Sequence, residues 1–182
     1  MDDIVRQALK KWPNVPHCYD WLALDARGDW YMRDERVQAA GPFPQIKGSR
    51  ILHEKLREFI ARNYLADEAG CWFFQNGPQR VYVELEASPW VWRLGTSGTG
   101  APAITSHTGR SAAFASPWLD EHGRLFLATD LGLGIVHTLD MNLAADAVEA
   151  GHWLPEETRF DALPGRFGYC LKPAKPVARI IM

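Results

Sequence analysis

Cysteine is scarce in this 182-residue chain. The three present, Cys18, Cys71 and Cys170, are odd in number and far apart. They spell neither a disulfide framework nor a paired-cysteine zinc site, and the expectation is buried, reduced thiols. Neither sign of charge is in excess: 20 Lys and Arg stand against 22 Asp and Glu, a formal net charge of −2. That balance argues against nucleic acid or an anionic membrane as a partner, since both need a basic surface. No apolar run approaches the roughly 20 residues that span a bilayer. The opening Met1-Asp2-Asp3-Ile4-Val5-Arg6 carries no leader-like apolar stretch, so a cytoplasmic protein is expected. Signatures of catalysis are missing too. The chain holds no Gly-x-Ser-x-Gly elbow, no phosphate loop ending in Gly-Lys-Ser/Thr and no zinc-type ligand spacing. The sequence therefore predicts no catalytic residue, no metal and no cofactor.

What the chain does have is a repeated turn. Asp, two residues, then Gly occurs at Asp25-Ala26-Arg27-Gly28, Asp67-Glu68-Ala69-Gly70 and Asp120-Glu121-His122-Gly123. An Asp that accepts backbone N–H bonds, followed by a Gly free to take positive φ, reverses the chain tightly. Aromatic or aliphatic runs follow each copy, so each reads as a hairpin. A hydrophobic fraction of 47% with 23% charged residues provides for a folded core.

Helical spacing is clearest over residues 49–64, where Leu52, Leu56, Phe59 and Ile60 form an apolar stripe opposite Glu54, Lys55, Arg57, Glu58 and Arg62. A shorter helix is expected over 141–150, capped by Asp140 and closed by Gly151. Val81, Val83 and Leu85 alternate with Tyr82, Glu84 and Glu86 as a strand does. Residues 95–102 are rich in Gly, Ser and Thr and read as a connector. This divides the chain into 1–94, a β-rich half carrying helix 49–64; the connector 95–102; and 103–182, a second β-rich half with helix 141–150. A Pro- and aromatic-rich tail, ending in 177–182, closes it. The halves align best where Gly70-Cys71-Trp72-Phe73-Phe74 matches Gly123-Arg124-Leu125-Phe126-Leu127, a degenerate repeat.

Polar residues of interest are few. His107-Thr108-Gly109-Arg110 follows a strand, and a His with an Arg there can bind a carboxylate or phosphate or simply form a solvated turn. Trp90 and Trp92 share one strand face and Arg93 follows them. Two parallel indoles beside a cation either stack on a ligand or fill the core. The candidate ligand site is thus Trp90, Trp92, Arg93, His107 and Arg110, between the halves. His137 with Asp140, and His17 with Cys18, lack the geometry on a strand for a metal pair or a catalytic dyad.

The stretch Gly77-Pro78-Gln79-Arg80-Val81-Tyr82-Val83-Glu84-Leu85-Glu86-Ala87-Ser88-Pro89-Trp90, with the hairpin at Gly28-Asp29-Trp30-Tyr31 and the helix before it, resembles an uncharacterised bacterial (proteobacterial) family. That family is built of tandem half-pleckstrin-like β-rich units, and the resemblance covers residues 21–92. It implies a role in ligand binding or signalling and no catalytic residues. The expected fold is α+β: twisted antiparallel sheets or a split barrel in two similar halves. One amphipathic helix packs on the first half and a shorter one accompanies the second. The expected function is a non-catalytic small-molecule-binding or regulatory module, with a protein-interaction subunit or a small enzyme as alternatives. Its partner would be a small molecule or a protein.

Overall fold

Hydrogen bonds at the three Asp/Gly turns explain how the chain folds back on itself. In the computed structural model, which describes residues 1–98 and 100–175, Asp25 Oδ1 accepts the N–H groups of Arg27 and Asp29 at 2.9 and 3.0 Å. Asp67 Oδ1 holds Ala69 and Cys71 in the same way, and Asp120 Oδ1 holds His122 and Arg124. Gly28, Gly70 and Gly123 sit at φ of 82°, 77° and 73°, where a side chain would be strained. A fourth copy uses Ser: Ser106 Oγ accepts Arg110 N–H at 3.0 Å and Gly109 takes φ 84°.

The first half opens with helix α1 (Asp3–Lys11), then β1 (Cys18–Leu24) and β2 (Trp30–Met32), joined by the Asp25 turn. Helix α2 (Glu35–Ala40), β3 (Ser49–Arg50) and helix α3 (Glu54–Arg62) follow. A meander of β4 (Tyr64–Ala66), β5 (Trp72–Asn76) and β6 (Gln79–Leu85) ends the half. The sheet order is β3-β2-β1-β6-β5-β4, so first and last strands lie side by side and run parallel. The second half repeats this plan with β7 (Trp90–Gly95), β8 (Ala103–Ser106), β9 (Ser111–Ala112), β10 (Phe114–Leu119), β11 (Leu125–Thr129) and β12 (Gly132–Val136). Its order is β9-β8-β7-β12-β11-β10, again with a parallel central pair. Helix α4 (Met141–Glu149), the short β13 (Glu156–Glu157), which adds to the edge at β10, and helix α5 (Leu163–Phe167) complete the chain. The fold is α+β, with two curled sheets in two similar halves. The sheets are mixed rather than antiparallel, because each half brings its two end strands together at the centre.

Four local expectations need correction. The helix expected from Ser49 begins at Glu54: Ser49 and Arg50 pair with Met32 and Tyr31 as an edge strand, and Leu52 is 70% exposed. His53 caps it instead, its Nδ1 accepting Leu56 N–H. Asp140 does not cap α4 through its side chain, because Arg93 and the Leu94 N–H occupy its carboxylate. Cys71 and Cys170 are not thiols but a disulfide across a sequence separation of 99, with Cα atoms 5.2 Å apart. Tertiary packing brings them together: Cys170 N–H donates to Gly70 O, and Gly70 lies so close to Gly168 that a Cβ would stand 2.0 Å from its carbonyl oxygen. Finally, the tract 95–102 joins β7 to β8 as a hairpin inside the second sheet. The chain passes between sheets at 86–89 instead. The tail segment 177–182 lies outside the described residues.

That 86–89 link is firmly held. Glu86 N–H donates to Leu24 O, the Tyr169 hydroxyl to Ala87 O, the Tyr64 hydroxyl to Pro89 O, and Ile135 N–H to Ser88 Oγ. One continuous core runs through both halves, from Leu24, Ile60 and Val83 to Trp92, Phe126 and Leu163. Among the described residues no helix is long and apolar enough to cross a membrane.

Candidate functional site

Two turns from opposite halves meet edge to edge. The Asp25 turn of the first half lies against the Ser106 turn of the second so closely that a Cβ on Gly28 would stand 2.8 Å from His107 Cβ. Beside this contact opens a cleft of about 710 Å3. The first half lines it with Asp25, Arg27, Asp29, Tyr31, Lys47 and Arg50, and the second with Arg93, Ser106, His107 and His137. Each side chain is placed by a local device. Arg27 and Asp29 ride on the Asp25 turn, Lys47 precedes the edge strand β3 and Arg50 lies in it. Arg93 alternates outward from a strand whose Trp92 and Leu94 face the core, and His137 follows the end of β12.

The acids of the first half are fully engaged. Asp25, buried, also accepts the Tyr31 hydroxyl at 3.2 Å and Lys47 Nζ at 2.9 Å on Oδ2. Burial opposes ionisation there, but Lys47 and the two backbone N–H groups outweigh it and hold the Asp25 carboxyl below the usual range. Lys47 also reaches Glu86 at 3.2 Å. Burial disfavours its charge, yet Asp25 and Glu86 raise its pKa on balance. Asp29 pairs with Arg50 at 2.7 Å.

Across the cleft Arg93 grips Asp140 through Nε at 2.5 Å and Nη2 at 3.0 Å, a bidentate pair that keeps the Asp140 carboxyl low. His137 accepts the Leu139 N–H on Nδ1 at 3.0 Å, which leaves its ring N–H at Nε2. Burial lowers its pKa, and the Arg93 and Arg27 guanidiniums lower it further. Arg27 is exposed and has no ion-pair partner among the described residues.

Of the five residues expected at the site, only Arg93 and His107 line this cleft. Trp90 and Trp92 are core residues, 2% and 0% exposed, stacked with ring centres 5.9 Å apart. Their indole N–H groups are spent on Leu131 O and Leu127 O, so neither face is open to a ligand. His107 accepts the Val91 N–H on Nδ1 at 3.2 Å, and its Nε2 is enclosed without a partner beside Trp30, Tyr64 and Trp90. Burial pushes its pKa down to about 3, against a weak pull from Asp25, so it is a neutral wall rather than a cationic ligand. Arg110 lies outside the cleft, its guanidinium 5.5 Å from the Trp90 ring, in a neighbouring depression with Asp2, Arg62 and Thr108. Arg27, Lys47 and Arg50 join the cleft without having been expected there, as does His137, weighed from sequence only as a metal partner of Asp140. Only Arg27 carried a signal, since the two residues between Asp and Gly in such a turn point out of the hairpin tip. Among the described residues no group of three His, Cys, Asp or Glu side chains is placed to hold a metal.

No curated protein matches the chain. A solved structure of a DUF1285 family protein from Shewanella baltica OS155 is similar at a TM-score of 0.47 and 14% identity, over 69% of this chain and 91% of that one. The resemblance first visible over residues 21–92 widens in a family match that runs through residues 1–174, nearly the whole sequence. On that match the chain belongs to the family DUF2944, described as "Protein of unknown function (DUF2946)".

Proposed function

We propose that this protein is a non-catalytic small-molecule-binding or regulatory module that holds a small polar ligand in the cleft between its halves. The observation that carries the reading is the convergence of Arg27, Lys47 and Arg50 from one half with Arg93 and His137 from the other around one open space. Ligand sites favour such junctions, where few polar groups converge on a concavity. No group in the cleft is arranged as a nucleophile with its base, which supports binding over chemistry. In this reading the module works in the cytoplasm, and the balanced net charge supports a small molecule or a protein, not nucleic acid or membrane, as its partner. A thermal-shift screen of the full chain against sugars, nucleosides, carboxylates and phosphates tests it. A ligand at a hundred times its Kd adds about 2.7 kcal/mol to the native state, worth about 5–10 °C for a chain of this size. If no class raises the melting temperature, the cleft is not a ligand site.

A further inference from the structure

We infer that the ligand of this cleft carries an oxyanion, a carboxylate or a phosphate, and that Arg27, Arg93 and His137 receive it. The inference rests on reading the cleft as the ligand site, and it adds the chemistry of what enters. Charge is the first ground. The lining carries four Lys and Arg against two Asp, while Glu86 and Asp140, which balance Lys47 and Arg93, do not line the cleft. The ligand-facing surface is therefore positive although the pairs behind it are neutral.

Hydrogen-bonding capacity is the second ground. Asp25 accepts four donors and Asp29 is taken by Arg50. A cationic or donor-rich ligand would thus meet acids already engaged. Donors, by contrast, are left over. Arg27 has its main chain locked by Asp25 and its guanidinium without an ion-pair partner among the described residues. Arg93 spends Nε and Nη2 on Asp140, keeps Nη1, and its side chain is 50% exposed. His137 has one nitrogen occupied by Leu139 and its N–H on the other. Two planar guanidiniums and an imidazole N–H suit the geometry of a carboxylate or phosphate. The Asp140 pair also fixes the Arg93 head, so little side-chain entropy remains to be lost when an anion binds.

The test is isothermal titration of the full chain with inorganic phosphate, with succinate and with a neutral sugar, at low salt. Variants Arg27→Glu and Arg36→Glu are compared, Arg36 being an exposed arginine of α2 away from the cleft. Both positions are exposed, and an unchanged melting temperature verifies folding. Binding of phosphate or succinate that Arg27→Glu weakens about tenfold or more, roughly a charge-assisted hydrogen bond lost, and that Arg36→Glu leaves within about twofold, supports the inference. Whichever anion binds more tightly names its source. Anion binding that Arg27→Glu does not weaken overturns it. So does binding of the sugar without either anion, although the cleft would then stand as a ligand site. Silence from every class would overturn both readings.

Discussion

The two central parallel strand pairs hold the same place in their halves and are filled in opposite ways. In the first, Leu22 and Leu24 on β1 stand beside Val83 and Leu85 on β6, medium-sized aliphatics on both strands. In the second, Trp90 and Trp92 on β7 stand beside Gly134 and Val136 on β12. A Cβ on Gly134 would lie 2.4 Å from the Trp92 indole and 2.8 Å from Trp90 Cβ. One frame thus accepts even packing or a large-against-none arrangement, since what a core fixes is total volume. The halves differ again where they carry polar groups. The first inserts α2 between β2 and β3 and α3 between β3 and β4, whereas the second passes from β8 to β9 to β10 through short turns. The lengthened β2–β3 connection supplies Lys47, and β3 at its end supplies Arg50. The repeated frame makes the floor, and the unequal insertion makes the cleft.

The packing contrast breaks most sharply at the indoles. Trp92→Ala should cost about 4 kcal/mol and Leu24→Ala about 3, because the larger buried side chain leaves the larger void. Gly134→Ala should cost a further about 2–3 kcal/mol by overpacking, whereas Val83→Ala in the matching strand should cost about 2 through a cavity. Urea midpoints decide this, and a harmless Gly134→Ala would mean that the second sheet does not need its missing side chain.

A second difference lies in the matched turns: Cys71 of the first is tied by a disulfide to Cys170, beyond α5, whereas the second has Arg124 in that place. Cys71→Ser should cost about 3 kcal/mol, because the bond restrains a loop of 99 residues in the unfolded chain. Wild-type protein in a thiol reductant should lose the same amount, and equal stability with and without reductant would contradict the pairing.

At the junction of the halves, His107 should make stability depend on pH. Its folded pKa is about 3 against an ordinary value of 6.5. The unfolded chain therefore takes up the proton first as pH falls. The stability is fully present above about pH 6.5 and is lost progressively toward pH 3, by about 2 kcal/mol at pH 5. Denaturation at pH 7 and pH 5 measures it, and a His107→Gln variant should lack this part of the slope.

The smallest effect separates the turns. Asp120 is buried and accepts two backbone N–H groups and Arg124 Nε. Ser106 accepts Arg110 N–H and shares a bond with the Thr108 hydroxyl. Asp120→Ala should cost about 2 kcal/mol and Ser106→Ala about 1, read from thermal unfolding. Equal losses would show that the carboxylate adds nothing beyond the hydroxyl.

Much of the fold was legible because its signals are short. The hairpins at Asp25, Asp67 and Asp120 follow from five residues each, and the match of Gly70–Phe74 with Gly123–Leu127 marks topologically equivalent turns in the two halves. The Ser106 turn obeys the same rule with Ser in place of Asp, a weaker local signal. The site was half legible. Arg93 stood out beside the tryptophans, but whether those indoles faced ligand or core depended on Leu131 and Leu127 carbonyls about forty residues away. Nothing near Lys47 or Arg50 announced a cleft.

The sequence by itself determined where the chain reverses and which strand faces are apolar, because turn bonds and alternation act between near neighbours. Only the tertiary structure decided that end strands close in parallel, that Cys71 meets Cys170, and that Arg27 and Arg93 line one cleft. Those contacts join residues tens of positions apart, and their formation depends on the packed core rather than on any local preference.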